Sequence, residues 1–335
     1  MALLNRRTAW IWYLGVGLVP TLLYSVGPQA TRVGPLFNLV GISSVVAVLV
    51  GVRMNRPRRP EPWYFMAAGL ALFAIGDLIT YNYESVFGGA LPFPSVGDFA
   101  YLAVYPCLAI GVFLLIRARN PVRDIGSFID ALMFGIAAGV VSWVFLIEPT
   151  WSGGGGGSLA ARIVSVAYPF MDLVLLLAIV RVAVGAGERG PAFGLLAASI
   201  ACLLVTDSIY GLGLGGIYSD GNVLDIGWGL FYLLWGAAAL HPSMTTLTEP
   251  SEGTTVPLTR DRIVLLLGTA LIVQVIRIVQ LTRGVPVHEP AAIAATTSLF
   301  VLMVVRLTVF SDRKPPSVEP SSNGDVDRLP ASLRR

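Results

Sequence analysis

Ten apolar stretches punctuate the chain, at residues 9–26, 36–52, 63–81, 99–116, 128–147, 163–184, 192–214, 223–240, 263–281 and 291–310. Each approaches the ~20 residues that an α-helix needs to cross a hydrocarbon core ~30 Å thick. Short polar or Gly/Pro-rich loops separate them, and no alternating strand pattern intervenes. The pattern predicts an all-α fold: a polytopic transmembrane bundle of about ten spans filling residues 1–310. Residues 311–335 are rich in Pro, Ser and acidic groups without an apolar period, which predicts a disordered tail.

Basic residues then orient the bundle. With the N-terminus in the cytoplasm, only Arg32, Arg162, Arg277 and Arg283 of the 23 Lys and Arg residues fall on the outer half. Arg6 and Arg7, the run Arg53, Arg56, Arg58 and Arg59, and the trio Arg117, Arg119 and Arg123 all fall inside. The positive-inside rule predicts both termini in the cytoplasm, and one Lys among the 23 basic residues points to a high-GC bacterial genome, so a bacterial plasma membrane is expected around the spans. Composition agrees: 55% of residues are apolar, 13% are charged and the mean hydropathy is +0.74. A soluble domain carries about twice that charge fraction. The basic inner rim suits anionic headgroups, so the implied partner is the lipid bilayer and not nucleic acid. The first apolar run has a basic start but is span-length and lacks a small-residue cleavage pattern, which predicts an uncleaved helix.

The chain carries few signs of catalysis. No Ser-His-Asp set, HExxH or Walker sequence occurs, and Gly153 to Gly157 is followed by Ser158-Leu159-Ala160 instead of a phosphate-binding Lys-Ser/Thr. That pentaglycine is expected to be a tether. Cys107 and Cys202 lack Cys or His neighbours, so neither a metal site nor a cofactor is expected. His241 ends the eighth span, where a cation suits the negative end of the helix dipole, and His288 stands in an outer loop.

Ionisable groups inside spans cost about 2.5–3.5 kcal/mol each and need a reason. Asp77, Asp172 and Asp207 fall in the outer part of spans three, six and seven, and Arg277 reaches the same third from span nine. Two roles are open. One is a polar cavity for a small ligand on the outer side, lined by the three acids, walled by Tyr105, Tyr168 and Tyr232, with Arg277 as counter-ion. The other is a set of packing contacts among the same groups. Asp98 and Asp225 begin spans four and eight and are expected to cap those helices. Asp130 lies near the inner interface, within reach of a loop arginine, and Arg306 is expected to snorkel to the inner headgroups.

A faint repeat runs through these positions. Residues 65–79 align with 195–209, pairing Asp77 with Asp207, and the helices that follow pair Asp98 with Asp225 and Tyr105 with Tyr232. Tyr168-Pro169 falls midway and echoes Tyr105-Pro106, which suggests successive two-helix hairpins running in one direction.

Four stretches carry a further resemblance. They are Pro94-Ser95-Val96-Gly97-Asp98-Phe99-Ala100-Tyr101-Leu102 with Tyr105-Pro106; Ile129-Asp130-Ala131-Leu132 with Ser142-Trp143-Val144-Phe145; Ala167-Tyr168-Pro169-Phe170-Met171-Asp172-Leu173-Val174-Leu175-Leu176; and Ala237-Ala238-Ala239-Leu240-His241-Pro242-Ser243-Met244. Together they resemble the multi-pass membrane region that precedes GGDEF and EAL domains in actinobacterial cyclic-di-GMP signalling proteins. The resemblance implies a sensory role for the bundle, with Asp98, Tyr105, Tyr168, Asp172 and His241 as shared positions. It carries no cyclase or phosphodiesterase activity here, since Gly324-Asp325 is not a GGDEF signature. The expectation is a sensor-like membrane protein, not an enzyme, acting through a cytoplasmic signalling partner. The alternative is a transporter of a small solute or ion.

Overall fold

A computed structural model describes residues 6–119, 124–152, 158–185, 187–212, 222–250, 259–284 and 289–309. The pentaglycine, His288 and residues 311–335 lie outside the described residues. What is described is helical throughout: α1 (Ala9–Val26), α2 (Gly34–Asn55), α3 (Glu61–Phe87), α4 (Val96–Arg119), α5 (Ile125–Ser152), α6 (Leu159–Val184), α7 (Pro191–Gly211), α8 (Asp225–Leu240), α9 (Arg260–Thr282) and α10 (Glu289–Val309). No strand occurs among the described residues. Nine of these helices are long and apolar enough to cross a membrane, so the protein is a multi-pass helical bundle.

Local chemistry sets the helix ends. Pro35 and Pro62 occupy first-turn positions, where their missing N–H costs nothing, and Arg56 and Gly88 close α2 and α3 in the left-handed region. Asp124 and Ser158 cap α5 and α6 through the backbone N–H groups of Ser127 and Ala161, at 3.1 and 3.2 Å. Within α5 the turn Trp143–Ile147 widens to π geometry just before Pro149. Proline cannot donate to the preceding turn, and the looser turn absorbs that loss without ending the rod.

The eighth apolar stretch departs from expectation in length. Helix α8 has 16 residues, about 24 Å at 1.5 Å per residue, short of a full span. Its position explains this. The segment from Phe231 to Leu240 is almost wholly buried, packed by α1, α2 and α7, so α8 meets protein where the other helices meet lipid. Backbones come close here. A Cβ on Gly51 of α2 would collide with the carbonyl oxygen of Ala239, and one on Gly41 would press on the Tyr232 ring. In lipid, with little hydrophobic drive between helices, such small-residue contacts supply much of the association.

Two cores result. Side chains of α1–α4 and α6–α8 share the larger one, and Ile129, Met133, Leu266, Val273, Leu299 and Met303 of α5, α9 and α10 form the smaller. Helix α5 joins them, since it also packs along α6.

The α2–α8 contact generates a test. Gly51→Ala should lower the unfolding free energy in detergent by about 1–3 kcal/mol, the usual cost of overpacking against backbone. Gly15→Ala, with no neighbour within 4 Å of the added carbon, should leave it unchanged or slightly raised.

Candidate functional site

Every aspartate at the α3–α4 end of the main core accepts a tyrosine hydroxyl. Asp77 of α3 is buried and takes two, from Tyr101 of α4 at 2.8 Å and Tyr232 of α8 at 2.6 Å, one on each carboxylate oxygen. Tyr105 of α4 faces both Asp172 of α6 at 2.8 Å and Asp207 of α7 at 3.3 Å. Asp207 also accepts the Trp228 indole N–H at 2.7 Å. Tyr168 of α6 donates to Asp98 at 2.7 Å, and Tyr81 of α3 to Asp225 at 3.2 Å. These bonds tie α3, α4, α6, α7 and α8 together across the sequence.

Asp98 and Asp225 sit in the first turns of α4 and α8. The second oxygen of Asp98 accepts the Ser95 N–H at 2.6 Å, and that of Asp225 the Asn222 N–H at 2.8 Å. Each acid thus holds its own helix start and a tyrosine from another helix. Among the described residues no salt bridge reaches Asp77, Asp98, Asp172 or Asp207. Arg277, expected as their counter-ion, pairs instead with Glu289 of α10 at 2.8 Å, in the smaller core's helix pair. Helix α9 packs on α5 and α10 and so carries Arg277 away from the main core.

The repeat reappears in the bonds themselves. A constant offset carries Ser95, Asp98, Tyr101 and Tyr105 onto Asn222, Asp225, Trp228 and Tyr232. Asp77 receives Tyr101 from the next helix and Tyr232 from the other hairpin; Asp207 receives Trp228 from the next helix and Tyr105 from the other hairpin. Hairpins α3–α4 and α7–α8 therefore exchange one tyrosine each. Tyr101 and Trp228 escaped the sequence reading, although the offset pairing Asp98 with Asp225 points straight at them.

The hydrogen count differs between the two halves. Two hydroxyl protons serve the single carboxylate of Asp77. Between Asp172 and Asp207 the donors among the described residues are the Tyr105 hydroxyl and the Trp228 indole N–H, for two carboxylates. A hydroxyl donates one proton, so a single extra proton on the pair would complete the chain.

A second polar cluster lies at the opposite end. Asp130 of α5 is fully buried between Arg306 of α10, at 2.8 Å, and Arg262 of α9, at 2.5 Å. Arg262 also donates to the Val184 carbonyl and to Ser127, and Arg181 donates to the Asp124 carbonyl at 3.1 Å. Arg306 does not snorkel. It is 1% exposed, because Asp130 offers a charged acceptor inside the bundle. Asp124, Ser127, Arg181 and Arg262 escaped the sequence reading: Asp124 and Ser127 form a local cap three residues apart, but the arginines that meet them come from distant helices. His241 also differs from expectation. Its Nδ1 accepts the Ser243 N–H at 3.0 Å, capping the short helix Pro242–Thr248, and burial lowers its pKa below the ordinary value. A neutral ring that accepts is what this cap needs.

No family model, curated protein or solved structure matches the chain. Among the described residues no group of His, Cys, Asp and Glu is placed to hold a metal ion.

Two stability measurements follow, both as unfolding free energies in detergent. Asp77→Asn should cost about 1–3 kcal/mol, since both oxygens receive donors, whereas Asp172→Asn, which removes one of two neighbouring acids, should change stability far less. Asp130→Ala should cost about 3–5 kcal/mol by leaving two arginines without their carboxylate, and Asp130→Leu/Arg306→Met should recover part of that loss.

Proposed function

We propose that this multi-pass membrane protein is a sensor whose switch is the acid–tyrosine network. One observation carries the reading: five aspartates inside or at the mouths of the spans are each held by a tyrosine from a different helix. In such a network the charge on any one acid is coupled to helix packing. A ligand or proton that changes it favours one arrangement of α3, α4, α6, α7 and α8 over another, which is the differential affinity a sensor requires. The network faces outward and both termini lie in the cytoplasm, in line with the distribution of arginines. A cytoplasmic partner docks on the basic inner rim and receives the signal. The resemblance to membrane regions preceding GGDEF and EAL domains supports the same role.

A second reading, a small-solute or ion transporter, draws on one specific observation. Pro106 and Pro169 lie inside α4 and α6 directly beside Tyr105 and Tyr168, and each removes one backbone donor from its helix next to buried acids, where transporters often carry a weakened helix.

Affinity capture from detergent-solubilised membranes separates the two. The sensor reading expects a stoichiometric cytoplasmic partner whose recovery changes at least ~5-fold in Asp77→Asn or Asp207→Asn, the lower end of usual coupling energies. Unchanged recovery in folded variants, together with solute or proton flux in proteoliposomes that Asp172→Asn abolishes, overturns it in favour of transport.

A further inference from the structure

The turn that joins α2 to α3 carries four arginines within seven residues, Arg53, Arg56, Arg58 and Arg59, and all four side chains are exposed. Among the described residues none of them makes an ion pair or a side-chain hydrogen bond. Glu61, the one acid in this segment, is exposed and makes no ion pair either. Arginines elsewhere behave differently. Arg119, Arg181, Arg189 and Arg262 each donate to a backbone carbonyl. The bundle uses those cations internally and leaves the four of the turn free.

The turn is built to hold its shape. The Asn55 amide donates to the carbonyls of Ala239 and Leu240 at the end of α8, at 3.3 Å each. Pro57 is buried, and Pro60 immediately precedes α3. Arg56 stands in the left-handed region, at φ 50°, in the position after a helix where glycine is the usual residue. Its N–H closes α2 on the Val52 carbonyl at 2.9 Å, a bond that any residue except proline supplies. Glycine would make it without the steric cost of a Cβ, so the cap does not call for arginine. Such a cost persists where the side chain itself is needed.

Depth names the partner. Helices α2 and α3 are both long and apolar enough to cross a membrane, so the turn between them sits at the edge of the hydrocarbon core. Lipid phosphates fill that layer. A guanidinium meets phosphate oxygens with two parallel N–H bonds, which a point charge cannot do. Clusters of four or more basic residues beside a span are drawn to acidic lipid, by about fivefold in affinity for each residue.

We propose that the α2–α3 turn is a phosphate-recognition site that holds the headgroup of an acidic phospholipid on Arg53, Arg56, Arg58 and Arg59. A soluble phosphate offers the same oxygens but does not share the location. The site lies outside the acid–tyrosine network and does not rest on the proposed switch.

The test titrates delipidated full-length protein in a neutral detergent with dioleoyl phosphatidylglycerol or dioleoyl phosphatidylcholine, and counts bound lipid by native mass spectrometry. Phosphatidylglycerol should bind at least ~10-fold more tightly. Arg53→Gln/Arg58→Gln/Arg59→Gln should weaken it about 100-fold. Arg6→Gln/Arg117→Gln/Arg260→Gln removes the same charge from other exposed positions and should weaken it less than ~3-fold, since screening isolates distant charges. Arg56→Gly serves where the triple variant does not fold. It should weaken phosphatidylglycerol binding about fivefold while leaving the lipid-free melting midpoint unchanged or raised. Equal binding of the two lipids overturns the proposal, as does full binding in Arg56→Gly or an equal loss in the control triple. Displacement of phosphatidylglycerol by inorganic phosphate, at an ionic strength where sodium chloride does not displace it, also overturns it and makes the ligand a soluble phosphate.

Discussion

A carboxylate inside a lipid-solvated bundle has few ways to be stable, and that constraint organises this molecule. It can meet a cation, a set of hydrogen-bond donors, water or a proton. The main core uses donors, and they are aromatic. Tyrosine suits the task because one side chain fills space as a hydrophobe and still ends in a hydroxyl. Tyr232 and Tyr105 are almost wholly buried and belong to the apolar core while reaching acids on other helices. Packing and polar pairing are therefore the same contacts, and moving one helix disturbs both.

The opposite end solves the problem differently. Asp130 is matched by two guanidinium groups, and the arginines it holds come from α9 and α10, the helices least tied to the rest. With only a small apolar core of their own, these helices gain a fixed position from that charge pairing. An ion pair in low dielectric tolerates little displacement, because either partner left alone is expensive. The bundle thus has one end in which neutral donors hold acids and another in which charges hold charges.

How much of this was legible in the chain follows from what each contact depends on. Span positions depend on composition averaged over ~20 residues, and they were read directly. The exception, α8, is short because protein surrounds it, and a hydropathy window does not distinguish burial in protein from burial in lipid. The depth of Asp77, Asp172 and Asp207 followed from counting along helices, but the choice of partners did not. Arg277 lies at a suitable height on the wrong helix; height comes from sequence, and the neighbour across comes from packing. Arg306 was misread for the same reason, as snorkelling considers only the distance to the interface. Tyr101 and Trp228 were recoverable, since the pairing of Asp98 with Asp225 and Tyr105 with Tyr232 fixes their register one helical turn earlier.

Helix α5 is where the two ends communicate. It packs on α6, which carries Tyr168 and Asp172, and it carries Asp130, Val140 and Trp143, which serve α9 and α10. Its wide turn, Trp143–Ile147, lies along this span. A π turn is held by fewer well-placed bonds than an α turn, so α5 can change its pitch there at low cost. A shift of the acid–tyrosine network that moves α6 must therefore either carry α5 with it or be absorbed at Trp143–Ile147. In the first case the arginines bound to Asp130 follow, and a change at one membrane face reaches the other through a single helix. In the second the face carrying the arginines stays still. The stiffness of that one turn, more than the strength of any one bond, decides whether the two polar clusters act as one device.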